Sequence, residues 1–178
     1  MISRKYVGDY RLENVPDRKG RLRTVPVYQG PVFRFTAAPQ ALRNTKIRCA
    51  ALAAIGTAAL LGTLLSPAAI LRRWYALVPL VLCAPTMAEV WAGVIGLLGA
   101  GKALTREQRD KMAPRIVGWG LATAILAALS LSGQAAAYVT GSGPDGVPVT
   151  ACTAALCAAA LGLFCAKEAL RTEELPPE

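Results

Sequence analysis

Glu89 is the only charged residue between Trp74 and Gly101, in the stretch "APTMAEVWAG" of residues 84–93. A run of that length can cross a hydrocarbon core of about 30 Å, for which about 20 helical residues suffice. Counting about 14 residues inward from Tyr75, at about 1.5 Å each, puts Glu89 roughly 20 Å below the outer surface. A short side chain at that depth reaches water poorly. A charged group there costs about 2.5–3.5 kcal/mol on insertion scales and by default marks a proton, cation or substrate site. Glu89 is therefore grouped with Thr86, one turn earlier, and with Gln134 of a later apolar run as a candidate intramembrane polar site. The structural alternative, which we prefer, is a carboxyl that donates a hydrogen bond to Gln134, Thr123 or a backbone carbonyl freed by Pro85.

Other chemistry is sparse. The chain has no histidine, which removes the commonest general base and metal ligand. Its five cysteines, Cys49, Cys83, Cys152, Cys157 and Cys165, form no C-x-x-C pair and read as small apolar packing residues. No phosphate loop, dinucleotide fingerprint or nucleophile elbow occurs, so neither catalytic residues nor a cofactor are expected.

Small residues recur every four positions in the first and fourth spans and every three in the second, which aligns them along one helix face. The expected helix-packing face comprises Ala54, Ala58 and Gly62, Gly93 and Gly96, and Ala158 and Gly162. In lipid, such rows let helix backbones approach closely. Packing within one bundle is the expected use, with contact to another membrane protein as the alternative.

Four apolar stretches must position these residues: Cys49 to Leu71, Trp74 to Gly101, Ile116 to Pro144 and Gly146 to Ala166. Each is long enough to span a bilayer. The expected fold is an all-α membrane protein, a four-transmembrane-helix bundle with spans at about 47–65, 75–98, 116–139 and 147–166. A basic cytoplasmic segment, residues 1–46, precedes it, and a short acidic tail, 167–178, follows and should fray. Ser66-Pro67 resembles a helix start. Thr105 and Gln108 form a capping-box pattern opening a short surface helix that should end before Pro114. Within the first segment, turn residues from Pro16 to Gly20 between β-favouring stretches suggest a hairpin over residues 10–28. An isolated hairpin is marginal in water and needs a surface to lean on.

Eighteen of the twenty basic residues fall before the first span, between the second and third, or in the tail. Only Arg72 and Arg73 fall on the other side. The positive-inside rule then makes both termini cytoplasmic, with the first span acting as its own uncleaved insertion signal. The net charge of +9 reads as topology plus attraction to anionic headgroups of the lipid bilayer, not as nucleic-acid binding. The Ala- and Arg-rich usage suggests a bacterial plasma membrane. The expected function is a non-enzymatic accessory or scaffold subunit of a larger membrane assembly, with other membrane subunits or self-association as partners. The rival is a small proton- or cation-coupled transporter using Glu89. Four spans, one membrane acid and Trp91 and Trp119 nearby resemble small multidrug exporters in outline, with no shared motif.

Overall fold

A computed structural model describes residues 4–16, 22–67, 71, 73–101, 103–139 and 147–175. The expected turn at residues 17–20, most of the outer connector 140–146, and Arg72 lie outside the described residues.

The chain forms β1 (Tyr10–Pro16), β2 (Leu22–Tyr28), β3 (Val32–Phe35), α1 (Pro39–Leu64), α2 (Trp74–Gly99), β4 (Leu104–Thr105), α3 (Arg106–Val139), α4 (Val147–Phe164) and β5 (Thr172–Glu174). Short 3₁₀ turns cover Arg4–Asp9 and Cys165–Leu170. Four helices are long and apolar enough to cross a membrane, the fourth counted with its 3₁₀ extension to Leu170.

Their limits differ from the sequence expectation for local reasons. α1 starts at Pro39, eight residues early, because proline needs no N–H in the first turn and good helix formers follow it. α2 begins at Trp74 rather than Pro67. α3 does not stop before Pro114 but runs through it to Val139. Pro114 is exposed, so the missing hydrogen bond lies on the outer side of the helix. The start of α3 is a reciprocal capping box: the Gln108 N–H donates to Thr105 Oγ1 at 3.3 Å and the Thr105 N–H to Gln108 Oε1 at 3.1 Å.

The helices close a ring in the order α1, α2, α3, α4, with α2–α3 the most extensive seam and α1–α2 the least. One buried cluster fills the half of the ring near β3, around Val90, Val94, Leu97 and Ile116. A second fills the other half, around Leu80, Cys83, Met87 and Leu156.

At one end, β3 is the middle strand of a three-stranded antiparallel sheet between β4 and β5. The N-terminal segment, the α2–α3 connector and the C-terminal tail therefore meet there. Phe33 and Phe35 alternate inward from β3 and are buried with Leu104 and Leu170, which seals that end of the bundle. The tail is thus not frayed over Thr172–Glu174. Its strand pairs with β3, and the Leu175 N–H donates to the Val32 carbonyl at 2.9 Å. β1 and β2 form a separate two-stranded antiparallel sheet, with Tyr10 opposite Tyr28 and Pro16 opposite Leu22.

Pro79 has no N–H, so the Tyr75 carbonyl four residues earlier loses its helical donor. That oxygen lies against Gly133 of α3, where an added Cβ would come within 2.8 Å of it. Backbone cannot yield there as a side chain can. Gly133→Ala should destabilise the protein by about 1–3 kcal/mol through overpacking. Gly118→Ala, on the same helix with nothing within 4 Å of its would-be Cβ, should be neutral or stabilising by up to about 1 kcal/mol. Thermal unfolding of the two variants in detergent checks this, and equal behaviour would refute the close approach.

Candidate functional site

Glu89 is not alone. Its Oε2 lies 3.2 Å from Nε of Arg115 on α3, and the two side chains are 43% and 39% exposed. Glu89 stands ten residues before the end of α2 and Arg115 nine after the start of α3, so antiparallel packing brings them to nearly one level. The Arg115 guanidinium, rather than Gln134, Thr123 or a backbone carbonyl, stands beside the carboxyl. Arg115 escaped sequence reasoning because it closes a basic connector and was counted as a topology signal. The matching distances from the connector were the signal that could have found it.

The three expected site residues are not brought together. Thr86 accepts from the Thr123 hydroxyl at 2.7 Å and donates to the Cys83 carbonyl at 2.9 Å. Gln134 is wholly buried further along α3, where its Nε2 donates to Thr153 Oγ1 of α4 at 2.9 Å and to Ser130 Oγ at 3.3 Å. Ser130 in turn donates to the Ala76 carbonyl of α2 at 2.8 Å. Among the described residues Gln134 Oε1 has no hydrogen-bond partner. Trp91, the aromatic neighbour of Glu89, donates its indole N–H to Thr57 of α1 at 2.8 Å. These bonds tie α2, α3 and their neighbours side chain by side chain. They form three separate links rather than one pocket.

The small-residue rows divide. Gly93 is buried against α3, where a Cβ would meet Ile116 Cγ1 at 2.8 Å and Arg115 Cβ at 2.9 Å. Gly162 approaches Leu52 of α1, whose Cδ1 would lie 2.9 Å from such a Cβ. Ala54, Ala58, Gly62, Gly96 and Ala158 are exposed, although a Cβ at Gly62 would lie 3.7 Å from Cys152 Sγ of α4 and one at Gly96 3.9 Å from Met112 Cγ of α3. The inward face of α1 is instead Cys49, Ala53, Gly56, Leu60 and Thr63. A strict four-residue row drifts about 40° per step around a helix of 3.6 residues per turn, and this one drifts off the core face. All five cysteines are free. Among the described residues no group of three or more His, Cys, Asp or Glu is placed to hold a metal ion.

At the sheet end, Tyr28 anchors the hairpin. Its hydroxyl donates to the Pro31 carbonyl at 2.8 Å and accepts from the Arg106 N–H at 3.0 Å. Burial pushes the Tyr28 phenol above its ordinary pKa, so it stays a neutral donor. Lys5 and Tyr6 both donate to Asp110 at 3.1 Å, and the hydrogen bond to that carboxylate holds the Lys5 ammonium above its usual range. The Arg109 guanidinium lies 4.4 Å from the centre of the Phe33 ring.

If the Glu89–Arg115 pair braces α2 on α3, removing one partner strands the other charge. Glu89→Gln and Arg115→Gln should each lower stability in detergent, and the double variant should recover part of the loss. A coupling of about 1 kcal/mol is expected, within the range of contacting pairs. Strict additivity would show that the pair does not act as a unit.

No family model, curated protein or solved structure matches the chain.

Proposed function

We propose that the chain is a non-enzymatic integral membrane protein, with both termini cytoplasmic, that serves as an accessory or scaffold subunit of a larger assembly in a bacterial plasma membrane. Four long apolar helices support membrane insertion. Eighteen of the twenty basic residues belong to the segments that the β3 sheet gathers at one end, which supports that end as the cytoplasmic one. The half-exposed Tyr75 and exposed Trp74 begin α2 at the opposite end, where an aromatic belt would sit.

The observation that carries the reading is the β1–β2 hairpin. Among the described residues no third strand joins it, so both outer edges are open. Residues directly opposite in the register share a face. One face carries Tyr10 with Tyr28, Leu12 with Pro26, and Pro16 with Leu22, interrupted by Asn14 and Thr24, which bond each other at 2.8 Å. Leu12 is 71% and Leu22 74% exposed. A hairpin that presents an apolar face and gains little from its own core is marginal in water. It is stabilised by docking, either on a partner subunit or on the headgroup layer. The pairing of Glu89 with Arg115 supports a bracing role for that carboxylate over a coupling role in transport.

A photo-crosslinking residue at Leu12 or Leu22 should yield a discrete protein adduct in intact cells, while one at Glu13 or Arg23 on the opposite face should not. Equal adducts from both faces, or neither protein nor lipid adducts from either, would overturn the docking role, and lipid adducts alone would assign the face to the headgroup layer. Sidedness is checked independently. A cysteine at Val139, in an otherwise cysteine-free chain, should react with an impermeant thiol reagent from outside, whereas one at Glu173 should not.

A further inference from the structure

Beside the sheet, where β3 runs into α1 and α2 ends, lies a cleft of about 460 Å³. Arg34, Arg43 and Lys46 line it, over an apolar floor that includes Phe35, Leu42 and Ala100. Among the described residues no carboxylate forms an ion pair with any of the three, although Glu173 stands opposite Arg34 in the β3–β5 register. Lys46 donates to the Ala100 carbonyl at 2.7 Å, which fixes one wall and leaves two ammonium donors free. The N-terminus of α1 at Pro39 also borders the cleft, and Ala38 gives it no side-chain cap. Its dipole adds positive potential in the same direction as the side chains.

Location separates this cleft from a site for a soluble anion. It opens at the inner mouth of the α1–α2 seam, the least extensive of the four helix seams. From Lys46, the row Ala50 and Thr57 runs up α1 along one face, and Trp91 meets it from α2. An acyl chain would run alongside such a seam, with its headgroup among the cations.

We propose that this cleft is a binding site for one anionic glycerophospholipid of the cytoplasmic leaflet. Arg34 and Arg43 hold its phosphodiester, Lys46 closes the inner wall, and Phe35, Leu42 and Ala100 contact the glycerol and the upper acyl chain. The inference rests on the reading of the four helices as membrane spans. It goes beyond general attraction of a basic protein to anionic lipid, because it assigns the lipid to two particular arginines.

The test measures lipid retained by the full-length protein after purification in mild detergent, by native mass spectrometry with added phosphatidylglycerol. One cation near a membrane surface contributes about 1 kcal/mol, or about fivefold in binding. Arg34→Gln with Arg43→Gln should therefore weaken retention by roughly 30-fold. Lys46 is left in place because its bond to Ala100 is structural. Arg106→Gln with Lys167→Gln, which removes the same charge away from the cleft, should leave retention unchanged. The doubly conservative Arg34→Lys, Arg43→Lys variant should retain most binding and shows that the fold survives substitution. Equal loss in the cleft and control variants would reduce the effect to net charge and overturn the site. So would displacement of the lipid by millimolar inorganic phosphate, since the cleft would then take a soluble anion. Release of the protein from membranes by alkaline carbonate would instead refute the membrane reading itself, separately from the lipid site.

Discussion

The seam between α2 and α3 is the constraint on which the rest of the molecule depends. Two prolines inside α2 weaken its own hydrogen-bond ladder, and α3 packs closely against and bonds to this helix. Gly133 admits the Tyr75 carbonyl at one end, and Gly93 admits Ile116 at the other. Between them, Thr123 bonds Thr86, and Ser130 bonds the Ala76 carbonyl. Close backbone approach and short side-chain bonds reinforce each other here, because neither forms unless the helices are already near. In lipid, where apolar packing alone does not favour helix contact over solvent contact, such paired devices set the geometry. Glu89–Arg115 extends the same seam toward the sheet.

Once α2 and α3 are fixed, their connector is fixed as well, and β4 presents its edge to β3. β3 then takes β5 on its other side, so the tail closes over the end of the bundle that the N-terminal segment already covers. Phe33 and Phe35 turn this pairing into a lid of buried aromatic surface. Only the β1–β2 hairpin lies outside that closure, attached through Tyr28.

The helices were legible in the sequence because four long apolar stretches leave little choice of structure. Their ends were less so: nothing local announces that Pro39 opens a helix rather than ending a loop, or that Pro114 rides through one. The β3 sheet was hidden because its partners are a two-residue strand and a three-residue strand, far apart in sequence. Alternation of Phe33 and Phe35 around Arg34 was visible, but what they face depends on tertiary contact. For the candidate site, the sequence singles out Glu89 as the one charge of its apolar run, yet it could not supply Arg115, because a charge at a span boundary looks like topology until antiparallel packing pairs it. The small-residue rows misled for a related reason. Spacing shows which residues share a face, and contact alone shows which face has a neighbour: Gly93 is buried against α3, while Ala54 is exposed.

Charge is handled in two opposite ways in this molecule. Arg115 meets a carboxylate, so it braces the seam and has little left to offer a ligand. Lys111 with Glu107 and Lys5 with Asp110 are likewise satisfied within the chain. Among the described residues Arg34 and Arg43 form no such ion pair, and they flank an apolar cleft instead. If all of these cations served only to orient the chain in a membrane, none would need an internal partner, since an exposed charge does that work equally well. Of these pairs only Glu89–Arg115 joins two of the long helices, whereas Arg34 and Arg43 stand at an opening beside the least extensive seam. That division distinguishes charges that hold the bundle together from charges left for something outside the chain.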